Sequence, residues 1–257
     1  MNETFSDAES QPSVYQERFS AVMDRIAVAA RRSGRASHEV TLVVVSKYLD
    51  IRSTEQLIRG GLAWISQNDM PSSPLILGES RPQLLSEKAS ALSAYAERVV
   101  WHQIGPLQTN KMRRVLPWIS RLHSGESLSR LTELNREAER IAKRLPVLLE
   151  VNISGESAKY GFSPDELPTM LDRLASFSFL RIDGLMGMTS LGASASEAHR
   201  QFASLRQLAE RLRPNLPDSI QMRHLSMGMS GDFEIAIEEG ATLVRVGSAI
   251  APPIANE

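Results

Sequence analysis

The feature that most constrains this chain is a repeated alternation of short apolar runs with helix-length amphipathic segments. The first run, TLVVVS at 41–46, is rich in β-branched residues and too short for a buried helix, so it reads as a strand covered on both faces. Further strands are expected at 98–103, 119–123, 147–153, 180–186, 220–225 and 242–246. Another falls within GLAWISQNDMPSSPLILGES (61–80), either at 62–66 with a long loop behind it or at 74–78 with an insertion ahead. Helices are expected near 53–60, 82–95, 107–117, 127–144, 164–177, 195–213 and 231–239, the 164–177 helix starting from the Ser163-Pro164 cap signal. An additional amphipathic helix from Tyr15 to Arg32 carries Phe19, Val22, Met23, Ile26 and Ala30 on one face. About eight strand–helix units argue for α/β architecture with a parallel sheet closed into a single TIM-type (β/α)8 barrel, preceded by an extra helix. The alternative, an open doubly wound sheet, needs a glycine-rich turn after the first strand, and VSKYLD has none.

The 257 residues fit one barrel domain over 14–257 behind a mobile tail at 1–13. With 29 Lys+Arg against 30 Asp+Glu, the charge balance carries no footprint for nucleic acid or an anionic membrane. There is no cysteine, which excludes disulfides and thiolate chemistry, and the five histidines show no H-x-x-x-H spacing for zinc. The opening MNETFSDAESQPS has no apolar core of a secretory signal, so a cytoplasmic location is expected.

Lys47 follows the first strand, where barrel strands end in the active-site mouth. A partly desolvated lysine there is a candidate amine nucleophile toward an aldehyde, set against a solvated lysine at a strand–loop junction. In LSMGMSGDFEIAIEEGATLVRVGSAI (225–250), Ser226, Gly228, Ser230 and Gly231 precede a helix beginning near Asp232, and Gly247 and Ser248 follow the last strand. Small residues free backbone N–H groups for an anion, and barrels often hold phosphate between their seventh and eighth loops. Arg245, inside an apolar strand, needs either a carboxylate partner or the ring nitrogen of a cofactor. His102, Gln108, Thr109, Asn110 and Lys111 in WHQIGPLQTNK are candidates to line the mouth or simply to open a helix. EVNISGESAKYGF, with Lys159 and Gly161, reads as a strand and an exposed turn.

Together these segments resemble the pyridoxal phosphate homeostasis protein family, whose fold is like the barrel domain of alanine racemases. The resemblance runs from roughly residue 15 to 250 and is most specific at HLSMGMSGDFEIAIEEGATLVRVGSAI. VVVSK (43–47), WHQIGPLQTNK, LHSGES (122–127), VNISGESAKYGF and GLMGM (184–188) support it. It implies pyridoxal 5′-phosphate (PLP) as cofactor, bound as a Schiff base on Lys47. Ser226, Gly247 and Ser248 fall at the phosphate, Arg245 at the pyridine nitrogen, and Ser80 and Met227 elsewhere around the cofactor. An arginine at that nitrogen keeps it unprotonated and weakens the ring as an electron sink. The chain departs from the family pattern at Ser80, where an asparagine is usual, at Pro106 in place of a histidine, and at Ala251-Pro252-Pro253 in place of Phe-Gly. The stretch at 66–77 is longer than usual by roughly ten residues, within loop tolerance.

The resemblance implies a PLP carrier that serves cofactor homeostasis without robust turnover, with PLP-dependent apoenzymes as candidate recipients. A monomer is expected. The rival reading is a PLP enzyme such as a racemase. Racemases of this fold take a second base, a tyrosine, from a β-rich domain for which no sequence remains after 257, and Tyr15, Tyr48, Tyr95 and Tyr160 are not evident substitutes. A third reading is a barrel for some other phosphorylated metabolite, bound without Lys47.

Overall fold

The computed structural model describes residues 13–68, 70, 72–156 and 160–252. Eight parallel strands close into a barrel in sequence order: β1 (Thr41–Val45), β2 (Leu75–Glu79), β3 (Val99–Gln103), β4 (Ile119–Gly125), β5 (Leu145–Glu150), β6 (Leu180–Met186), β7 (Ile220–Ser226) and β8 (Leu243–Val246). Closure is made by β1 against β8, with Leu42 opposite Val244 and Val44 opposite Val246. The helices are α1 (Val14–Arg32), α2 (Ile51–Gln67), α3 (Pro82–Ala91), α4 (Thr109–Val115), α5 (Leu128–Arg140), α6 (Leu171–Ala175), α7 (Ala195–Leu212) and α8 (Phe233–Glu238). Each of β1 to β7 is followed by a helix. The place of an eighth is taken by α1, which packs against both α8 and α2 and so completes the outer ring.

The N-terminal helix forms where its apolar stripe dictates. Phe19, Val22, Ile26, Ala29 and Ala30 are buried, and Ser13 Oγ caps the helix by accepting from the Gln16 amide. Ser13 is the last residue of the expected tail, and the rest of it, 1–12, lies outside the described residues.

Residues 62–66 are not a strand. They are the second half of α2, and the second strand is the later alternative, at Leu75–Glu79. The Gly60-Gly61 pair serves helix packing. A Cβ on Gly60 would lie 2.8 Å from Ser13 Oγ and 2.9 Å from Tyr15 Cβ, so the missing side chain lets the start of α1 approach α2. The 164–177 helix is also shorter than expected. Ser163 does accept the Asp165 amide, but a turn and a 3₁₀ segment (Leu167–Met170) follow, and α-helix begins only at Leu171. Pro168 has no N–H to donate, which interrupts the ladder there.

The main core lies between barrel and helices, where Val44, Leu77, Leu134, Phe202, Met227, Phe233 and Val246 are packed. A smaller cluster of Val43, Leu148, Met186 and Leu243 is separate from it. Ile76 and Ile104 pack against it, and buried polar groups lie in the barrel as well. Near the strand N-termini Asp183 takes a bidentate contact from Arg181 (2.7 and 2.9 Å) and an ion pair from Arg121 (3.3 Å). No helix among the described residues is long and apolar enough to cross a membrane.

Candidate functional site

The strand C-termini converge on one mouth, and Lys47 stands on its β1 wall. It is half-buried, its Nζ lies 4.9 Å from the centre of the exposed Tyr48 ring, and it makes no hydrogen bond or ion pair among the described residues. The carbonyl before it is held firmly: Ser46 O accepts from Leu49 N (3.0 Å) and from Lys88 Nζ (2.7 Å). Lys88 in turn pairs with Glu79 at 2.7 Å, with side-chain exposures of 2 % and 0 %. The other carboxylate oxygen of Glu79 accepts the amides of Ser80 and Arg81. One buried ion pair thus fixes the ends of both β1 and β2. The half-buried Ser80 sits on that frame, and its carbonyl accepts from Gln103 Nε2 at 2.9 Å.

Across the mouth, the loops after β7 and β8 are joined by the Gly247 amide, which donates to Ser230 Oγ at 3.0 Å. Asp232 shapes the first loop by accepting from Met229 N (2.6 Å) and Thr189 Oγ1 (3.0 Å). Gly228 begins this loop at φ +89°, and a Cβ there would fall 2.6 Å from Ala236 Cβ. Among the described residues, the amides of Ser230, Gly231, Ser248 and Ala249 donate to no acceptor. Four unspent N–H groups beside one another suit a phosphate.

Arg245 lies inside the barrel below these loops. Its Nη1 donates to Ser226 O (2.8 Å) and Ser226 Oγ (2.6 Å), and its Nη2 to Gly187 O (3.2 Å). A guanidinium has five N–H donors, so two remain without an acceptor among the described residues. Burial pushes Arg245 down to about 10, against the opposing pull of Glu150 and Asp232. Glu150, at the end of β5, is pushed up to about 7 by burial and then by the charge of Glu126, with Arg245 drawing it back. A half-buried amine, a buried guanidinium with free donors and an amide cradle fit the three reactive edges of PLP, namely its aldehyde, ring nitrogen and phosphate.

Some expected residues fall elsewhere. Met227 is buried in the outer core, and its amide is spent on Leu243 O, so its side chain does not line the mouth. Ser226 Oγ is held inside the barrel, accepting from Arg245 Nη1 and lying 2.8 Å from His123 Nδ1. His102 is buried in the barrel interior instead of lining the mouth, with its Nδ1 3.0 Å from His123 Nε2. Gln108, Thr109 and Asn110 are exposed at the start of α4. Lys159 lies outside the described residues. Tyr95 bonds Glu55 and Arg59, whose α2 belongs to the outer helical ring, whereas Tyr48 adjoins Lys47. Sequence reasoning missed His123, Glu150 and the Glu79–Lys88 pair. Glu79 ending an apolar strand, with a lysine on the next helix, was the available signal for the last.

The single closed barrel of eight parallel strands has the fold class of the alanine racemase barrel domain. The family model described as "Alanine racemase, N-terminal domain" matches residues 119–251. More narrowly, the chain belongs to the pyridoxal phosphate homeostasis protein family. It is 32 % identical to the pyridoxal phosphate homeostasis protein of Aquifex aeolicus over 234 residues, covering 91 % of this chain and 96 % of that one. Among solved structures, an unknown protein from Bifidobacterium adolescentis is 31 % identical, with a TM-score of 0.81 and coverage of 97 % and 98 % of the two chains. PipY of Synechococcus elongatus, solved with PLP bound, is 27 % identical with a TM-score of 0.75, covering 92 % of this chain and 99 % of its own.

Proposed function

We propose that this protein binds PLP at the barrel mouth, holds it as a Schiff base on Lys47, and serves PLP homeostasis in the cell without robust turnover. The observation that carries the reading is Arg245: a buried guanidinium with two unspent donors, in a barrel whose rim also carries the unpaired Lys47 and the free amides around Gly247. PLP supplies an aldehyde that condenses with a primary amine and a ring that withdraws electrons from what is attached. In this reading Lys47 supplies the amine, Arg245 donates to the pyridine nitrogen, and the Ser230–Gly231 and Ser248–Ala249 amides hold the phosphate. Gly247 allows the close approach and Ser80 lines the rim. Met227 packs in the core behind the site, and Ser226 acts through Arg245.

An arginine donating to the ring nitrogen keeps that nitrogen unprotonated, which disfavours carbanion chemistry and favours retention. The homeostasis role named for the family's members supports a carrier that hands PLP to apoenzymes over a racemase-like enzyme. Deuterium exchange at the α-carbon of amino acids separates the two. The carrier reading expects exchange far below enzyme-like turnover, and rates near about 10 per second would overturn it.

A further inference from the structure

Beneath Arg245, the polar interior of the barrel holds two histidines that the binding reading leaves without a role. Pairing every proton along their contacts sets one direction for the hydrogen bonds between them and the arginine. A guanidinium only donates, so Ser226 Oγ must accept from Arg245 Nη1 at 2.6 Å. The Ser226 hydroxyl has one proton of its own, and the only other group bonded to it among the described residues is His123 Nδ1, at 2.8 Å. That proton is paired only if it goes to Nδ1, and His123 then carries its own proton on Nε2. The Nε2–H then donates to His102 Nδ1 at 3.0 Å, which leaves the His102 proton on its Nε2. The rings stand 5.0 Å apart, inclined at 46°.

We infer that His123, backed by His102, is a positioning residue for Arg245, acting through a one-way chain from Arg245 to Ser226 to His123 to His102. The chain links β8, β7, β4 and β3, so it braces the guanidinium from the opposite side of the barrel. It works only with both imidazoles neutral, since a proton on His123 Nδ1 would turn that nitrogen from acceptor to donor and strand the serine proton. The surroundings enforce neutrality: burial pushes His123 well below its ordinary value, with His102, Arg245, Arg121 and His224 adding to the effect. His102 is pushed down to about 3 by burial, then by Arg121 and His224. The inference rests on the proposed binding reading in one respect, that Arg245 faces the cofactor ring.

The test has two arms. The first is ¹⁵N NMR of the full-length protein with labelled histidine at neutral pH, without cofactor. It is expected to show Nδ1 unprotonated and Nε2 protonated in both His102 and His123, and a protonated Nδ1 on His123 would overturn the chain. The second compares PLP binding by His123→Phe and His123→Asn. The asparagine oxygen can accept the Ser226 proton where Nδ1 did, whereas phenylalanine leaves the hydroxyl unpaired. About tenfold weaker binding is expected for His123→Phe, the size of one lost buried hydrogen bond, with near-native binding for His123→Asn. Equal binding by the two variants would overturn the positioning role. If His123→Phe fails to fold, the NMR arm still decides. If the wild-type protein does not hold PLP on Lys47, the binding reading fails while the NMR result still stands or falls by itself.

Discussion

Replacing Lys88 by methionine tests whether a buried ion pair organises the β1–β2 side of the mouth. Methionine keeps most of the side-chain volume but removes the charge, leaving Glu79 fully buried with only the Ser80 and Arg81 amides for partners. Breaking one side of a buried pair costs about 3–5 kcal/mol, because an uncompensated charge stays behind. For a domain of this size each kcal/mol lowers Tm by roughly 2–4 °C, so Lys88→Met is expected to melt roughly 6–20 °C lower. Adding Glu79→Gln removes the stranded charge while its amide oxygen can still accept the two backbone amides. The double variant is therefore expected to recover at least about 2 kcal/mol, a coupling of the size seen between groups in direct contact. Urea unfolding followed by circular dichroism at neutral pH gives all four corners of the cycle. A double variant no more stable than Lys88→Met would refute the reasoning.

Two further outcomes follow from the same structure. Gly228→Ala puts a Cβ 2.6 Å from Ala236 and imposes a φ of +89° on an L-residue. Backbone strain and overpacking together cost roughly 2–4 kcal/mol, measurable as a lower urea midpoint. Stability is also expected to fall as pH drops below about 6.5, the unfolded histidine value. His102 and His224 are held down to about 3 and about 4, both chiefly by burial, so the unfolded chain takes up protons that the folded one refuses. In that window His102 contributes up to about 1.4 kcal/mol per pH unit. Glu150 works the other way between 4.5 and about 7, since its raised value makes the folded state the better proton binder there. Denaturant midpoints measured from pH 7 to pH 4 should decline, and a flat or rising profile would contradict the neutral-histidine interior.

The barrel was legible in sequence because its strands are short, apolar and separated by segments of helical period. Lys47 and Arg245 stood out in sequence as charged residues at the end of, or within, such a strand, and the roles proposed for them came from the family resemblance. The second strand was ambiguous because two apolar pieces lie on either side of the polar, proline-containing stretch 68–74, and only the later one pairs with β1 and β3. Helix α6 was over-read because Pro168 breaks a pattern whose cap signal is otherwise sound. The interior chain was illegible for a different reason. His123 acquires its role from Ser226, 103 residues away, and only barrel closure brings the two together. Lys88 likewise reads as an ordinary helical lysine until β2 places Glu79 against it.

The most direct test of the central claim is to incubate the protein with PLP, reduce with borohydride and map the peptides by mass spectrometry, beside Lys47→Ala. A pyridoxyl adduct on Lys47 in the wild type, lost in the variant, is the predicted result. An adduct absent from Lys47, or unchanged in Lys47→Ala, would contradict it.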